Sequence, residues 1–259
     1  MGPRLSDLLQ QDRYVLPEVQ REYQHQNNNT PFYPLIIATK NNKKDTIDLS
    51  TSELTKFPDL SGRRSIRCLN LNNNYLKTLS HELSSLDRLK ELHLQHNRIE
   101  YLHPAIWNLS QLETLDLSLN AIATLPNEIG CLECLKKLRL GYNKLYKLPE
   151  NLKSLENLTE LDLESNRFIE LPLSVVNLKS LQKLNLSNNK ISYLPKNITR
   201  LRSLQELQLL HNPVSKIHVK AIDYLLQLQV FEFGTLQNGE NRITNPNGRR
   251  LVLPSKPLS

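Results

Sequence analysis

Leu112-Glu113-Thr114-Leu115-Asp116-Leu117-Ser118-Leu119-Asn120 places leucine at its first, fourth and sixth positions and closes on an asparagine. The same run returns every 23 residues, ending on Asn74, Asn97, Asn120, Asn143, Asn166, Asn189 and Asn212. Its apolar positions read Ile66-Leu69-Leu71, Leu89-Leu92-Leu94, Leu112-Leu115-Leu117, Leu135-Leu138-Leu140, Leu158-Leu161-Leu163, Leu181-Leu184-Leu186 and Leu204-Leu207-Leu209. The second and third leucines alternate with other residues at period two, the pattern of a short strand with one buried face. A single coil has nothing to bury those leucines against. Stacked coils bury them in a continuous core behind a parallel sheet. The asparagine falls where the chain leaves the strand, and its amide both donates and accepts hydrogen bonds. It is expected to satisfy peptide groups of the turn and of the neighbouring coil that no sheet ladder reaches.

The second half of each repeat is equally regular. Leu79, Leu102, Leu125, Leu148, Leu171, Leu194 and Ile217 begin it, and Pro126, Pro149, Pro172 and Pro195 follow four of them. Proline there fixes φ and is expected to keep the sheet from spreading to the convex side. Further core positions follow at Leu83, Ile106, Ile129, Leu152, Val175, Ile198 and Ala221, and again at Leu86, Leu109, Leu132, Leu155, Leu178 and Leu201, with room for a few residues of helix or 3₁₀ turn between them. The pattern predicts an α/β solenoid: a parallel concave sheet of about nine strands and a convex side of irregular, 3₁₀ and short helical segments.

The full unit resembles the 23-residue intracellular leucine-rich repeat of the Ras-binding scaffold, Ras suppressor, Scribble and Erbin group. The resemblance covers residues 44 to about 236. It implies a horseshoe that binds protein and does no catalysis, with a small GTPase, phosphatase or kinase assembly as the class of partner. The frame is specific for the fold alone, because proteins that share it differ in what they bind.

Three segments are expected. Residues 1–43 read as an N-terminal extension and cap, with helical turns over Pro17 to Gln24, a polar loop over Gln24 to Thr30 and an apolar stretch over Pro34 to Ala38. Residues 44–236 read as the repeat domain: a degenerate first repeat over 44–65, in which Ser52 replaces the asparagine, seven regular repeats over 66–227, and a terminal strand over 228–236. Residues 237–259 read as a basic tail with a capping hairpin, Arg242-Ile243-Thr244 and Arg250-Leu251-Val252-Leu253 flanking the turn signal Asn245-Pro246-Asn247-Gly248. A solenoid without caps exposes an apolar cross-section at each end.

Composition excludes several classes. The net charge of +7 is drawn in part from the tail residues Arg242, Arg249, Arg250 and Lys256, and four charges on a solvated end do not make a nucleic-acid footprint. Three cysteines, none near either end, do not fit the disulfide-closed ends of extracellular repeat proteins. The sequence has no apolar leader region and no run of roughly 18 apolar residues to span a membrane. The expected compartment is the cytoplasm and the expected state alone is a monomer. Sequons at Asn108, Asn157, Asn185 and Asn197 then carry no meaning, since the repeat itself generates them.

Several motifs suggest chemistry. Met1-Gly2 with Ser6 approaches a myristoylation pattern, but Pro3 stiffens the segment that the transferase must admit. Cys131 and Cys134 have the spacing of a zinc half-site, yet no second pair exists, and the two simply flank core Leu132. His93 lies beside Asp116 with Cys68 one strand away, which resembles a nucleophile, base and orienter. Cys68 stands two positions off that row, a diagonal of about 7–8 Å, too long for a thiol–imidazole hydrogen bond. His93 and His96 offer a metal only two ligands. No catalytic residue, cofactor or metal is assigned.

The concave face is the expected binding surface. Residues between the strand leucines form a row, Asp48, Asn70, His93, Asp116, Arg139, Asp162, Asn185 and Gln208, beside a second, Glu91, Thr114, Lys137, Glu160, Lys183 and Glu206. Gln95, His96, Tyr142 and Glu164 stand at the strand exits. At about 4.8 Å per strand, nine coils give a surface on the order of 40 Å long, enough for a folded partner. Arg139 and Tyr142 on the middle repeat are its expected hot spot, because arginine and tyrosine combine broad contact area with directional hydrogen bonds. Two alternatives stand beside this reading: a structural subunit held permanently in a large complex by its flanks, and a bacterial effector-type binding domain.

Overall fold

The computed structural model describes residues 45–60, 62–234, 241–244 and 250–253. The expected helical turns over 17–24, loop over 24–30 and apolar stretch over 34–38, the lipidation motif at residue 2, and the turn and tail residues 245–249 and 256 lie outside them. The strands are Thr46–Asp48 (β1), Cys68–Asn70 (β2), Glu91–His93 (β3), Thr114–Asp116 (β4), Lys137–Arg139 (β5), Glu160–Asp162 (β6), Lys183–Asn185 (β7), Tyr193–Leu194 (β8), Glu206–Leu210 (β9), Lys216–Ile217 (β10), Val230–Gly234 (β11), Asn241–Thr244 (β12) and Arg250–Leu253 (β13). One sheet runs β1 to β7, then β9 and β11, each from one coil and parallel to the last, and ends on β13 and β12. At that end β13 lies parallel to β11 at Phe231↔Leu251, and β12 pairs antiparallel with β13.

Registration of the coils follows from the leucines. Leu69, Leu92, Leu115, Leu138, Leu161, Leu184 and Leu207 are successive register partners, none more than 2% exposed. Burying each side chain contributes roughly 1.5–3 kcal/mol, and a one-residue slip would turn the whole set to solvent.

The asparagines join the coils. Asn143 Nδ2 donates to the carbonyls of Leu140 in its own coil and Leu117 in the preceding one, at 3.1 and 2.9 Å, while its Oδ1 accepts from the Ile122 N–H at 3.0 Å. The same triple link recurs at Asn97, Asn120, Asn166, Asn189 and Asn212. Asn74 ties the degenerate first coil, accepting from Ser52 and Leu54 and donating to Leu49.

The residue before each of these asparagines adopts a left-handed backbone. Asn73, His96, Leu119, Tyr142, Ser165, Asn188 and His211 have φ between 51° and 57°, a conformation that costs a side-chain-bearing residue roughly 1–2 kcal/mol. Sheet hydrogen bonding holds it there: the Leu119 and Tyr142 amides donate to the next coil's Gly141 and Glu164 carbonyls at 2.9 and 2.8 Å. This turn tips the side chain out of the strand exit, where Tyr142 is 49% exposed.

On the convex side, 3₁₀ turns occupy His81–Ser85, Pro104–Asn108, Asn127–Cys131, Glu150–Ser154, Val175–Asn177 and Lys196–Arg200. Core residues three apart, such as Ile129 and Leu132, match the three-residue turn of that helix. Pro126, Pro149 and Pro195 sit at the N-caps with φ near −80° to −69°. Proline does not keep this side free of sheet, as the sequence had suggested. Tyr193–Leu194 pairs in parallel with Lys216–Ile217, because the pairing ends one residue before Pro195 and needs no amide from it. Leu148 is only partly buried against the core, unlike its equivalents in other coils. The last full coil carries an α-helix, Val219–Leu226 (α1), in place of a 3₁₀ turn; Ala221 and Leu225 face the core and the Tyr224 hydroxyl donates to the Leu201 carbonyl.

Replacing Asn143 by alanine would strand one buried amide and two buried carbonyls, so Asn143→Ala is expected to lose about 2–4 kcal/mol of unfolding free energy in urea. Asn120, which is less buried, is expected to lose less in the same measurement.

Candidate protein-binding face

Pairing of the strands sets the two concave rows in register. Glu91, Thr114, Lys137, Glu160, Lys183 and Glu206 are successive partners, as are His93, Asp116, Arg139, Asp162, Asn185 and Gln208. Both rows stand on the side opposite the leucines, because side chains alternate along each strand.

Aspartate and asparagine in the second row shape the strand exits. Asp48, Asn70, Asp116, Asp162 and Asn185 each accept, through Oδ1, the amide of the residue two positions on, at 2.9–3.0 Å. The strand therefore ends on an Asx-type turn. Asp116 is only 6% exposed as a result, so it meets a partner less directly than the sequence suggests.

The central charges are paired with one another. Arg139 lies 3.7 Å from Asp116 and 3.8 Å from Glu160, Lys137 lies 3.6 Å from Glu160, and Lys183 lies 2.9 Å from Glu206. Arg139 is still 42% exposed. Tyr142 donates its hydroxyl to Glu164 at 3.0 Å, and Asn185 and Asn188 donate to the same carboxylate at 3.2 and 3.1 Å. The aromatic ring is thereby fixed by its polar tip while its face stays open. A shallow depression on the sheet is lined by Arg139, Glu160, Asp162, Lys183, Asn185, Glu206 and Gln208. Burial raises the carboxyl pKa of Asp162 from its ordinary value, and the charges of Glu164 and Asp116 add to the rise against the Asp162–Glu164 backbone hydrogen bond and Arg139.

Toward the N-terminal end, Gln95 is half-buried and His96 is exposed, with its ring Nδ1 2.8 Å from Asn73 Oδ1. His96 thus leaves His93, which instead sits with Cys68 and Glu91: one Sγ, one carboxylate oxygen and one ring nitrogen lie within 4.8 Å of one another. The diagonal that separates the Cys68 and His93 backbones is spanned by their side chains. Burial, with the charge and hydrogen bond of Glu91, pushes the Cys68 thiol up to about 11. That shift runs opposite to the lowering that activates a nucleophilic cysteine. Cys131 is exposed and Cys134 half-buried around fully buried Leu132.

Two features escaped the sequence reading. Glu113 on the sheet flank is clasped by Lys90 and Lys136 from the coils on either side, and the hydrogen bonds from Lys136 and Lys90 draw its carboxyl down to about 2. The 23-residue spacing contains that signal, since the three residues share one repeat position. The second is a set of large apolar side chains beyond the strands. Tyr146 and Ile169 occupy one position in successive coils and are 53% and 67% exposed, and Arg98 stacks over Tyr75 at 4.5 Å.

Among the described residues, no helix is long and apolar enough to cross a membrane. The family described as leucine-rich repeat region matches residues 134–247, and the family described as leucine rich repeat matches 87–145, so that together they span more than half of the chain. No curated protein matches. Among solved structures, a leucine-rich repeat protein of Leptospira interrogans is 29% identical over 67% of this chain and 56% of its own, with a TM-score of 0.52. The plant peptide hormone receptor RGFR1, solved in complex with RGF2, is 28% identical over 67% of this chain and 29% of its own, at 0.58. Internalin C2 of Listeria monocytogenes is 26% identical over 74% of this chain and 80% of its own, at 0.64. The chain thus spans little more than half the length of the first of these proteins and under a third of the second.

Asp162→Asn keeps the Oδ1 acceptor for the Glu164 amide, as Asn185 does for Ser187, and removes a carboxylate whose charged form the fold disfavours. A carboxyl with a raised folded-state pKa contributes stability below its unfolded pKa and loses it as pH rises through the folded value. The variant is therefore expected to be at least as stable as the parent at pH 7, by thermal unfolding, with its advantage vanishing as pH falls through the Asp162 titration. Repeat spacing, the parallel sheet, the asparagine links and the matches at 87–145 and 134–247 agree: the chain is a leucine-rich repeat protein, of a family whose members serve as protein-interaction modules.

Proposed function

We propose that this chain is a non-catalytic scaffold that grips a folded protein on its concave face, centred on Arg139 and Tyr142. The observation that carries this reading is Tyr142: it follows Arg139 by three residues at the exit of the same strand, its backbone is left-handed there, Glu164 accepts its hydroxyl, and half of its surface is open. A pre-ordered aromatic ring loses little freedom on binding, and tyrosine and arginine are the side chains enriched in hot spots. Around this centre Glu91, His93, Gln95, His96 and Asp116 come from the coils on one side, Lys137 from the central strand itself, and Glu160, Asp162, Glu164 and Lys183 from the coils on the other.

Those flanking charges alternate in sign along the sheet and already pair internally. Such pairs contribute little by themselves. In the proposed complex they select a partner of mixed charge and set its register, while the ring and the guanidinium supply the affinity. The partner belongs to a signalling assembly built on a small GTPase, phosphatase or kinase, as the resemblance to Ras-binding scaffolds implies, and the chain works as a monomer in the cytoplasm.

A second reading, a subunit held in a larger complex, is favoured by the neighbouring exposed side chains of Tyr146 and Ile169, which lie off the concave rows. Affinity purification of the full chain from its native cytoplasm, followed by titration of the captured partner, separates the two. Arg139→Ala and Tyr142→Ala are each expected to weaken binding by about 1–2 kcal/mol and to leave the chain monomeric and soluble. Unchanged affinity in both variants would move the contact away from the centre of the sheet.

A further inference from the structure

We propose that Cys68, Glu91 and His93 form a three-ligand site for a divalent cation of the zinc class on the concave face. The site stands apart from Arg139 and Tyr142 and does not depend on the binding role proposed for them.

The backbone assembles the donors. Cys68 and Glu91 are register partners on β2 and β3, and Glu91 and His93 are two residues apart on β3, so all three side chains leave the sheet on the same side. One ligand atom from each lies within 4.8 Å of the other two. In a tetrahedral zinc site, bonds of about 2.3 Å to sulfur and about 2.0–2.2 Å to nitrogen and oxygen put the ligand atoms roughly 3.3–3.8 Å apart. The difference is within the reach of side-chain rotation on a fixed sheet. Glu91 already approaches the His93 ring Nε2 at 3.4 Å along its own strand and accepts a hydrogen bond from the Cys68 thiol on the neighbouring one.

Donor chemistry narrows the ion. One sulfur, one nitrogen and one oxygen suit zinc and its spectroscopic substitute cobalt. Calcium and magnesium take oxygen ligands and are not served by this set. The thiol gives its proton to solvent as the sulfur–metal bond forms. Asp116 stands in register with His93 on the neighbouring strand, but its carboxylate is engaged by the Ser118 amide and Arg139, so the three donors are Cys68, Glu91 and His93. Three protein ligands leave a fourth position for water or a partner's donor on the open side of the sheet. The other cysteine pair, Cys131 and Cys134, has no third donor of this kind among the described residues.

The test uses the full chain with Cys131→Ser and Cys134→Ser, so that Cys68 is the remaining thiol, reduced and stripped of metal. Cobalt is titrated while the thiolate-to-cobalt charge-transfer band is followed, and zinc is then added as competitor. One equivalent of cobalt is expected to raise the band and zinc to abolish it. Cys68→Ser is expected to remove the band. His93→Ala and Glu91→Gln are each expected to weaken binding by at least about tenfold, the smaller loss typical of outer-shell partners, whereas His96→Ala binds as the parent does. Circular dichroism of each variant confirms that the coils remain folded. Absence of the band in the folded parent, or binding unchanged by Cys68→Ser or by His93→Ala, would overturn the site.

Discussion

Each coil is held to the next by one side chain that speaks to two turns at once. An asparagine donates to a carbonyl of its own coil and to one 26 residues earlier, and it accepts an amide 21 residues earlier. Those groups lie behind the strand exit, where no ladder reaches and water is excluded, so leaving them unpaired would cost more than the bond contributes. The strands and asparagines are thereby held in step while the convex segment between them varies in length: Asp48 pairs with Asn70 in the first coil and Leu207 with Phe231 in the last, repeats one residue shorter and one longer than the rest, in the same parallel sheet. On the strands, side-chain identity is free to vary at the outward-facing positions.

Function is written on those positions. The sheet presents its strands in parallel register, and side chains at equal repeat positions become neighbours whatever their identity. Opposite charges in successive coils meet as ion pairs, as Lys137, Glu160, Lys183 and Glu206 do. Unlike metal-ligating groups in successive coils meet as a donor cluster, as Cys68 and Glu91 do with His93. The constraint that makes the frame rigid is also what places a ring such as Tyr142 at a fixed angle and exposure.

Much of this was legible in the sequence because the period and the strand alternation are both encoded in single residues. The concave rows, the buried leucines and the role of the asparagines follow from counting in steps of 23 and of two. The left-handed residue before each asparagine was not legible: Asn, His, Leu, Tyr and Ser occupy it, and no glycine marks the turn. Nor was the approach of Cys68 to His93, since a backbone diagonal does not reveal that two side chains lean toward one carboxylate. Asp116 looked like a surface charge and is buried by its own Asx-type turn and by Arg139. The proline rule failed at Pro195 because a two-residue pairing ends before the missing amide matters.

Site-specific photocrosslinking tests most directly whether the centre of the sheet is the docking surface. A photoreactive phenylalanine is placed at position 142 in one chain and at position 169, beyond the strands, in another, and each is irradiated with the captured partner. Crosslinking to the partner is expected from position 142 and none from position 169. Crosslinking from 169 alone would contradict it and place the contact on the exposed apolar positions beyond the strands.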